Sequence, residues 1–500
     1  EHHSGADCTG TVATEHRRFF CHLGRPCSIM KAVMPFVLGQ LVSFADSLCQ
    51  REAEKVSPSP DDKNFGDVVD LRGDTLAVGG DVPTTGKIWI FKKTDSSWTQ
   101  TFVIDSGNVE DHQKLGDLVK LDRTGNELVA TNKDEKNPAQ VYRRSGNHWH
   151  LAYTVTLGSQ YRKNGMGGNM PRSYNRAWRT AIDGDTFAIS SGYTHWEDSG
   201  IQSAGRDPER DIHESGRVFV FIRSGDSWTE QAIITQPDPE RSHNFGQALD
   251  LKGDDIAVGV PNYFDTADQS RPITGAAFVF TRSGSTWSLQ QQLMAPVDET
   301  QKCEDKLGML PSKCSDGAFG DAVSFGRTGE LAVGDYYKVN TKDVNHGAIY
   351  VFTRSGTTWG TPVKIVEWGN NWGDNFAKRV QMSENDVIIA SAYEESNDAG
   401  AVYVFRKVGA AWMQESKIIA TDSRAYHKFG FTLGMSTDGV MAVGAAYHGA
   451  AYVYKWCTTT TTTTSTTNEF RQEASASYSL QLARPFVMLP ALLLMGVRRQ

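Results

Sequence analysis

Long apolar runs are nearly missing from these 500 residues. The two most continuous, 32–42 and 485–497, fall short of the ~20 residues a helix needs to cross a bilayer, which excludes a polytopic membrane protein. Positive charge is not in excess either: 51 Lys and Arg face 59 Asp and Glu, so no overall field draws the chain to nucleic acid. Cysteine is scarce, seven in all, and none sits in a zinc-type spacing. Gly-x-Ser-x-Gly, His-Glu-x-x-His and Asn-x-Ser/Thr do not occur, and the stretch from Gly80 to Gly86-Lys87 is one residue too long for a phosphate loop and continues with Ile88. Against these absences stand 23 Phe, 16 Tyr and 12 Trp, with 47 Gly. A chain so supplied can bury a large core and turn often, which excludes disorder.

The ends differ in character from the middle. Residues 1–29 precede the first methionine, Met30, and read as an extension. Residues 30–45 combine Lys31, a short apolar stretch and the Ser43-Phe44-Ala45 ending of a secretory signal peptide. After Cys457 comes a Thr/Ser-rich stalk, 458–477, which has nothing to bury. The apolar tail, 478–500, follows small residues and a polar spacer, as a lipid-anchor signal or a membrane anchor would, although it closes on Arg498 and Arg499. Secretion or display at the cell surface, with a tether at the C-terminus, is the expectation.

Two words recur in fixed order through 46–457. The first is Phe-Gly, alternating apolar residues, a glycine turn and a small-residue strand, as in Phe65-Gly66 running to Ala77-Val78-Gly79. It returns at Leu115-Gly116, Phe245-Gly246, Phe319-Gly320, Phe376-Ala377 and Phe429-Gly430, with a degenerate form around Ala181-Ile182-Asp183-Gly184. The second word is Gly-apolar-aromatic-Val-Phe, a polar turn, then Trp, and the two together give seven copies. Period-two alternation between Gly, Asp, Ser and Asn turns predicts four short strands per copy. A four-stranded sheet buries both faces when it is stacked radially with others like it, so the prediction is all-β: a seven-bladed β-propeller of four-stranded antiparallel blades. Ala77, Ala257, Ala332 and Ala442 are expected on a strand near the crowded axis, and the aromatics of the second word between blades.

These words resemble the FG-GAP repeat of integrin α-chain propellers, over residues of about 48–457. The resemblance implies a recognition or adhesion module. It also implies calcium in a first hairpin of Asp-x-Asp-x-Asp-Gly type, but hairpins such as Leu71-Arg72-Gly73-Asp74 and Leu251-Lys252-Gly253-Asp254 carry too few carboxylates, so no metal and no cofactor is expected. Arg72-Gly73-Asp74 also spells an integrin-binding tripeptide; since Gly and Asp recur at this place in other copies, turn formation accounts for them.

The seventh copy stops after three strands, at Tyr452 to Cys457, so residues 48–56 are expected to supply its outer strand. Laid without a gap, Leu48 to Val56 falls on Trp412 to Ala420. Four cysteines lie within 46–457 and allow three pairings. The strand arrangement favours Cys49 with Cys457, leaving Cys303 with Cys314.

Long connections at 158–180, 192–215, 261–274, 288–318 and 335–346 would share one face of such a propeller. Loops on a rigid scaffold carry binding. The 192–215 loop sets Tyr193, His195 and Trp196 beside Glu197 and Asp198, with Asp211 and His213 further on, a mixture suited to a glycan or a protein ligand. The reading is a non-catalytic, monomeric recognition module. A carbohydrate-active hydrolase with an axial carboxylate pair, or a structural coat protein, are the alternatives.

Overall fold

Alternation of buried and exposed residues, broken by tight turns, becomes antiparallel strands in order along the chain. The computed structural model describes residues 51–58, 65–81, 86–95, 97–107, 115–132, 137–157, 178–191, 216–237, 244–263, 273–296, 315–336, 347–367, 374–437 and 439–455. All belong to the unit Cys49–Gln500. The four cysteines of the expected bridges, the segments 1–29 and 30–45, the stalk and the tail lie outside them.

The first copy forms Val68–Arg72, Thr75–Asp81, Gly86–Lys93 and Trp98–Asp105, hydrogen-bonded in that order. The second, third and sixth copies repeat this order. The fourth and fifth share one nine-stranded sheet, because Ile273–Ser283 and Ser315–Phe325 meet in parallel at Ile273↔Ser315 and Gly275↔Phe319. In the fifth copy the outer strand is split into Thr358–Trp359 and Val363–Ile365, on either side of Gly360. Four of the connections expected to be long are therefore shorter: Thr286–Leu293 and Ser315–Phe325 both reach into 288–318, Trp178–Asp183 into 158–180, Ile273–Ser283 into 261–274 and Glu330–Asp335 into 335–346.

The last sheet runs Arg51–Val56, Ala450–Lys455, Val440–Ala445, Phe429–Met435. The N-terminal segment thus lies along the third strand of the seventh copy, as expected, but in a different register from the ungapped alignment. Lys55 faces Tyr452 where Lys417 faces Tyr403, so Lys55 corresponds to Lys417 and not to Ile419. The shift is of two residues, and an even shift keeps every side chain on its own face of the sheet.

The Phe of the first word is fully buried at Phe65, Phe245, Phe319 and Phe429. Phe65 meets Trp89 and Phe91 edge-on, with centroids 5.2 and 5.9 Å apart, and Phe429 meets Tyr452 and Tyr454 in the same way. Each such pair is worth roughly 0.5–1.5 kcal/mol beyond its buried area. The apolar cores lie between copies. One joins copies one and two through Ala77, Ile90, Leu121 and Leu128; another joins six and seven through Ile389, Val404, Leu433 and Val443. A further core joins Phe65, Val69 and Trp89 of the first copy to Val56, Val440 and Val453 of the last sheet.

Gly66 shows why the second letter of the word is glycine. Its φ is +93°, and a Cβ there would lie 2.2 Å from the Ala450 carbonyl oxygen, at the start of the last copy's third strand. Gly320 touches Ala276 of the preceding copy in the same manner. Ala77, Ala257, Ala332 and Ala442 lie on the second strands of their copies, fully buried between sheets.

Candidate functional site

Tyr193, His195, Trp196, Glu197, Asp198, Asp211 and His213 lie outside the described residues. What is described is their mounting. Ser191 pairs with Arg217, so the strands flanking the 192–215 loop hold its two ends side by side.

The first strands line a cavity of about 120 Å³ that is partly open to solvent. Val69, Lys120, Arg179, Gln247, Asp321, Arg379 and Thr432 reach it, one from each of the seven copies. Of the residues directly after an anchor, Gln247 and Asp321 line it. Arg179 Nε donates to the Gln247 carbonyl at 2.7 Å, and Lys378 Nζ lies 3.2 Å from Asp321 Oδ2. Arg379 Nη1 is 3.6 Å from the same oxygen. Burial pulls the Arg179 guanidinium down to about 10, helped by Arg379 and opposed by Asp321 and Asp117. Burial likewise lowers Lys378, whose ammonium sits 3.4 Å from the Tyr336 ring centroid.

Carboxylates further along these strands are committed to holding copies together. Asp70 accepts from the Leu121 N–H at 2.8 Å and Asp250 from the Phe325 N–H at 2.7 Å, each reaching into the next copy. At the hairpin end, Arg123 forks onto Asp183 at 3.1 and 3.2 Å and stands 3.3 Å from Glu384 of the sixth copy. Arg72 Nη1 donates to the Met435 carbonyl at 2.6 Å, while Asp74 binds Lys92, so both charged residues of Arg72-Gly73-Asp74 are engaged within the fold.

Two carboxylate pockets lie at the other end of the sheets. In the sixth copy Glu395 accepts from the Tyr403 hydroxyl at 3.0 Å and from Lys417. Glu367 and Asp374 are 5% and 6% exposed beside it. Burial, then the charges of Asp374 and Glu395, push the Glu367 carboxyl up to about 8, so it holds its proton at neutral pH. In the seventh copy Asp422 receives Lys55 at 2.6 Å, Tyr452 at 2.5 Å and His448 at 3.0 Å, and His448 stacks on His427 with centroids 3.9 Å apart. Burial alone would raise the Asp422 carboxyl, but these partners together hold it well below the usual carboxylate range.

Sequence reasoning passed over these pockets. Their signal was present: Tyr350 faces Lys364 and Tyr403 faces Lys417 at the same spacing, and Lys55 repeats the pairing with Tyr452 from the far end of the chain. Among the described residues no group of three or more His, Cys, Asp or Glu side chains is arranged to hold a metal ion, and no helix is long and apolar enough to cross a membrane.

A family model described as FG-GAP repeat matches residues 228–280 and 412–454. No curated protein matches the chain. Among solved structures, a chain of "Crystal Structure of Mitotic Checkpoint Complex" aligns at 12% identity over 87% of this chain and 99% of its own, with a TM-score of 0.47. FG-GAP repeats in two places, on an all-β scaffold of four-stranded antiparallel sheets, make this chain similar to the β-propellers.

Proposed function

We propose that the chain is a secreted or cell-surface recognition or adhesion module without catalytic activity: an integrin-α-type FG-GAP propeller of seven blades that takes a protein or glycan at the loops of one end. One observation carries the reading: a single cavity receives residues from the first strands of all seven copies. Such a cavity calls for a ring, with Arg51–Val56 as the outer strand of the last blade. A ring in turn gathers the second-to-third-strand and inter-blade connections at one end, the 192–215 loop among them. A hydrolase would need two accessible carboxyls, ~5–5.5 or ~6.5–9.5 Å apart. Asp70, Asp250 and Asp321 are instead tied to backbone N–H groups or cations, which favours binding over hydrolysis. The signal-like 30–45 and the tail 478–500 complete the reading as export and tether.

Probing glycan and protein arrays with the full chain tests it. Saturable binding is expected, weakened at least tenfold by Trp196→Ala or His195→Ala; an array negative throughout counts against adhesion. The reading includes a covalent lock. Arg51 faces Lys455, and Cys49 stands two positions before Arg51 and Cys457 two after Lys455, which supports the Cys49–Cys457 pairing. Peptide mapping of the unreduced, secreted chain should recover the Cys49–Cys457 and Cys303–Cys314 peptides linked, and free thiols at these positions would remove the lock. Closing so long a loop stabilises by up to about 5 kcal/mol, so reduction should lower the melting temperature markedly.

A further inference from the structure

We propose that the surface joining copies six and seven binds a neutral glycan, stacked on the rings of Tyr447 and Tyr426 and hydrogen-bonded by Asn397. The inference rests on the recognition reading above and places the ligand on the same kinds of connection as the 192–215 loop. Three connections build the surface: 393–400 between the second and third strands of copy six, 419–428 leading into copy seven, and 446–449 between the second and third strands of copy seven. The last two each carry Ala-Tyr-His, at Ala425-Tyr426-His427 and Ala446-Tyr447-His448. The two histidines stack with centroids 3.9 Å apart, which fixes one triplet against the other. Each tyrosine is left facing solvent: at 68% and 69%, Tyr426 and Tyr447 are the most exposed large apolar side chains among the described residues.

Both rings are held before any ligand arrives. Phe431 meets the Tyr447 ring edge-on at 6.4 Å, and Lys428 Nζ lies 5.6 Å from its centroid, so little ordering is needed on binding. Tyr426 is held through its backbone: its N–H donates to the Asn397 carbonyl at 3.1 Å, and the Lys428 N–H to that of Asp398 at 2.8 Å. Ser396, Asn397, Asp398, Tyr426 and Lys428 all have φ between 51° and 69°, a left-handed conformation that is costly for side chains of this size. Strain of this kind gathers at binding sites, where it fixes side chains in place. The Tyr426 and Tyr447 hydroxyls, the Ser396 hydroxyl and the Asn397 amide are open to solvent and have no hydrogen-bond partner among the described residues. Lys55, Arg424 and Lys428 are met by Asp422, Glu394 and Asp398, so no net charge selects an ionic ligand. The C–H face of a sugar ring is drawn to the negative face of an aromatic ring. An asparagine amide offers a donor and an acceptor to neighbouring hydroxyls. A protein partner would need about 800 Å² on each side around an apolar centre. Two rings set among polar side chains fit the smaller, hydroxyl-rich ligand.

Arrays of neutral glycans ending in mannose, galactose or N-acetylglucosamine, of sialylated and sulfated glycans, and of proteins test the inference when probed with the full chain and its variants. The parent should bind at least one neutral glycan saturably. Tyr447→Ala and Tyr426→Ala should each weaken that binding about tenfold or more, and Asn397→Ala about fivefold. Tyr447→Phe, which keeps the ring, should stay within about threefold of the parent. Both tyrosines lie on the surface, so their alanine variants are expected to melt with the parent. Should either fail to fold, crystals of the unmodified protein grown with the bound glycan give a second reading, a sugar ring seated on Tyr447. Glycan binding undiminished by both alanine changes overturns this inference and leaves the recognition reading standing. Preference for sialylated or sulfated glycans, a protein ligand lost with Tyr447→Ala, or a sugar seated away from Tyr447 overturns it as well. Arrays negative throughout overturn both.

Discussion

Gly66→Ala is expected to destabilise the protein by about 3–5 kcal/mol, the range in which backbone strain and steric conflict act together. The added methyl would sit 2.2 Å from the Ala450 carbonyl oxygen at a φ of +93°. Ala450 cannot rotate that oxygen away freely, since its strand is paired on both sides, with Val440–Ala445 and with Arg51–Val56. Relief therefore means separating the first copy from the last, across the core that holds Phe65, Val69 and Val453. Gly73→Ala is the matched control. Its φ is also positive, +53°, but nothing lies within 4 Å of the would-be Cβ, so only the left-handed backbone term of about 1–2 kcal/mol remains. Urea unfolding of both variants measures the difference; equal costs would mean that the junction between first and last copies contributes no more than a surface turn.

Glu367→Gln is expected to stabilise the protein, and increasingly so with rising pH. The unfolded carboxyl ionises near 4.5, and the folded one near 8. Between those values the folded protein holds a proton that the unfolded chain has released, so this group's contribution favours folding at low pH and fades as pH rises through the window. Its slope is at most about 1.4 kcal/mol per pH unit, and over the full window its ceiling is about 5 kcal/mol. Glutamine keeps the neutral shape and removes the slope. Variant and parent should have similar stability at pH 4.5 and diverge steadily toward pH 8, with Asp374, Glu395, Lys417 and Tyr403 as the groups that set the size of the gap. Denaturant melts at five pH values decide it, and parallel curves would show that Glu367 ionises freely in the folded state.

Phe65-Gly66, Phe319-Gly320 and their equivalents made the sheets readable from sequence because one structural demand, a buried ring beside a close backbone crossing, recurs with the same two residue types. The N-terminal strand was readable as a strand but not to the residue. Alternation fixes which face a side chain takes, and Lys55 satisfies it equally well in either of two registers two residues apart. Only the Tyr452 pairing, a contact between the two ends of the chain, chooses between them. The cavity was out of reach for a related reason. Arg179 and Arg379 stand two hundred positions apart in the sequence, and neither looks unusual until the first strands bring them together. The Tyr–Lys–carboxylate pockets fall between these cases: the Tyr–Lys spacing is visible, whereas the acid comes from a different connection in each copy, Glu395 in one and Asp422 in the other.

Pairing the N-terminal segment with Ala450–Lys455 also has a mechanical side. A pull applied beyond Lys455 runs along a strand clamped between Val440–Ala445 on one flank and Arg51–Val56 on the other. Load of that kind shears two ladders of hydrogen bonds simultaneously and does not peel one open rung by rung. The first and last of the described strands, Arg51–Val56 and Ala450–Lys455, would thus carry such a load together within one sheet.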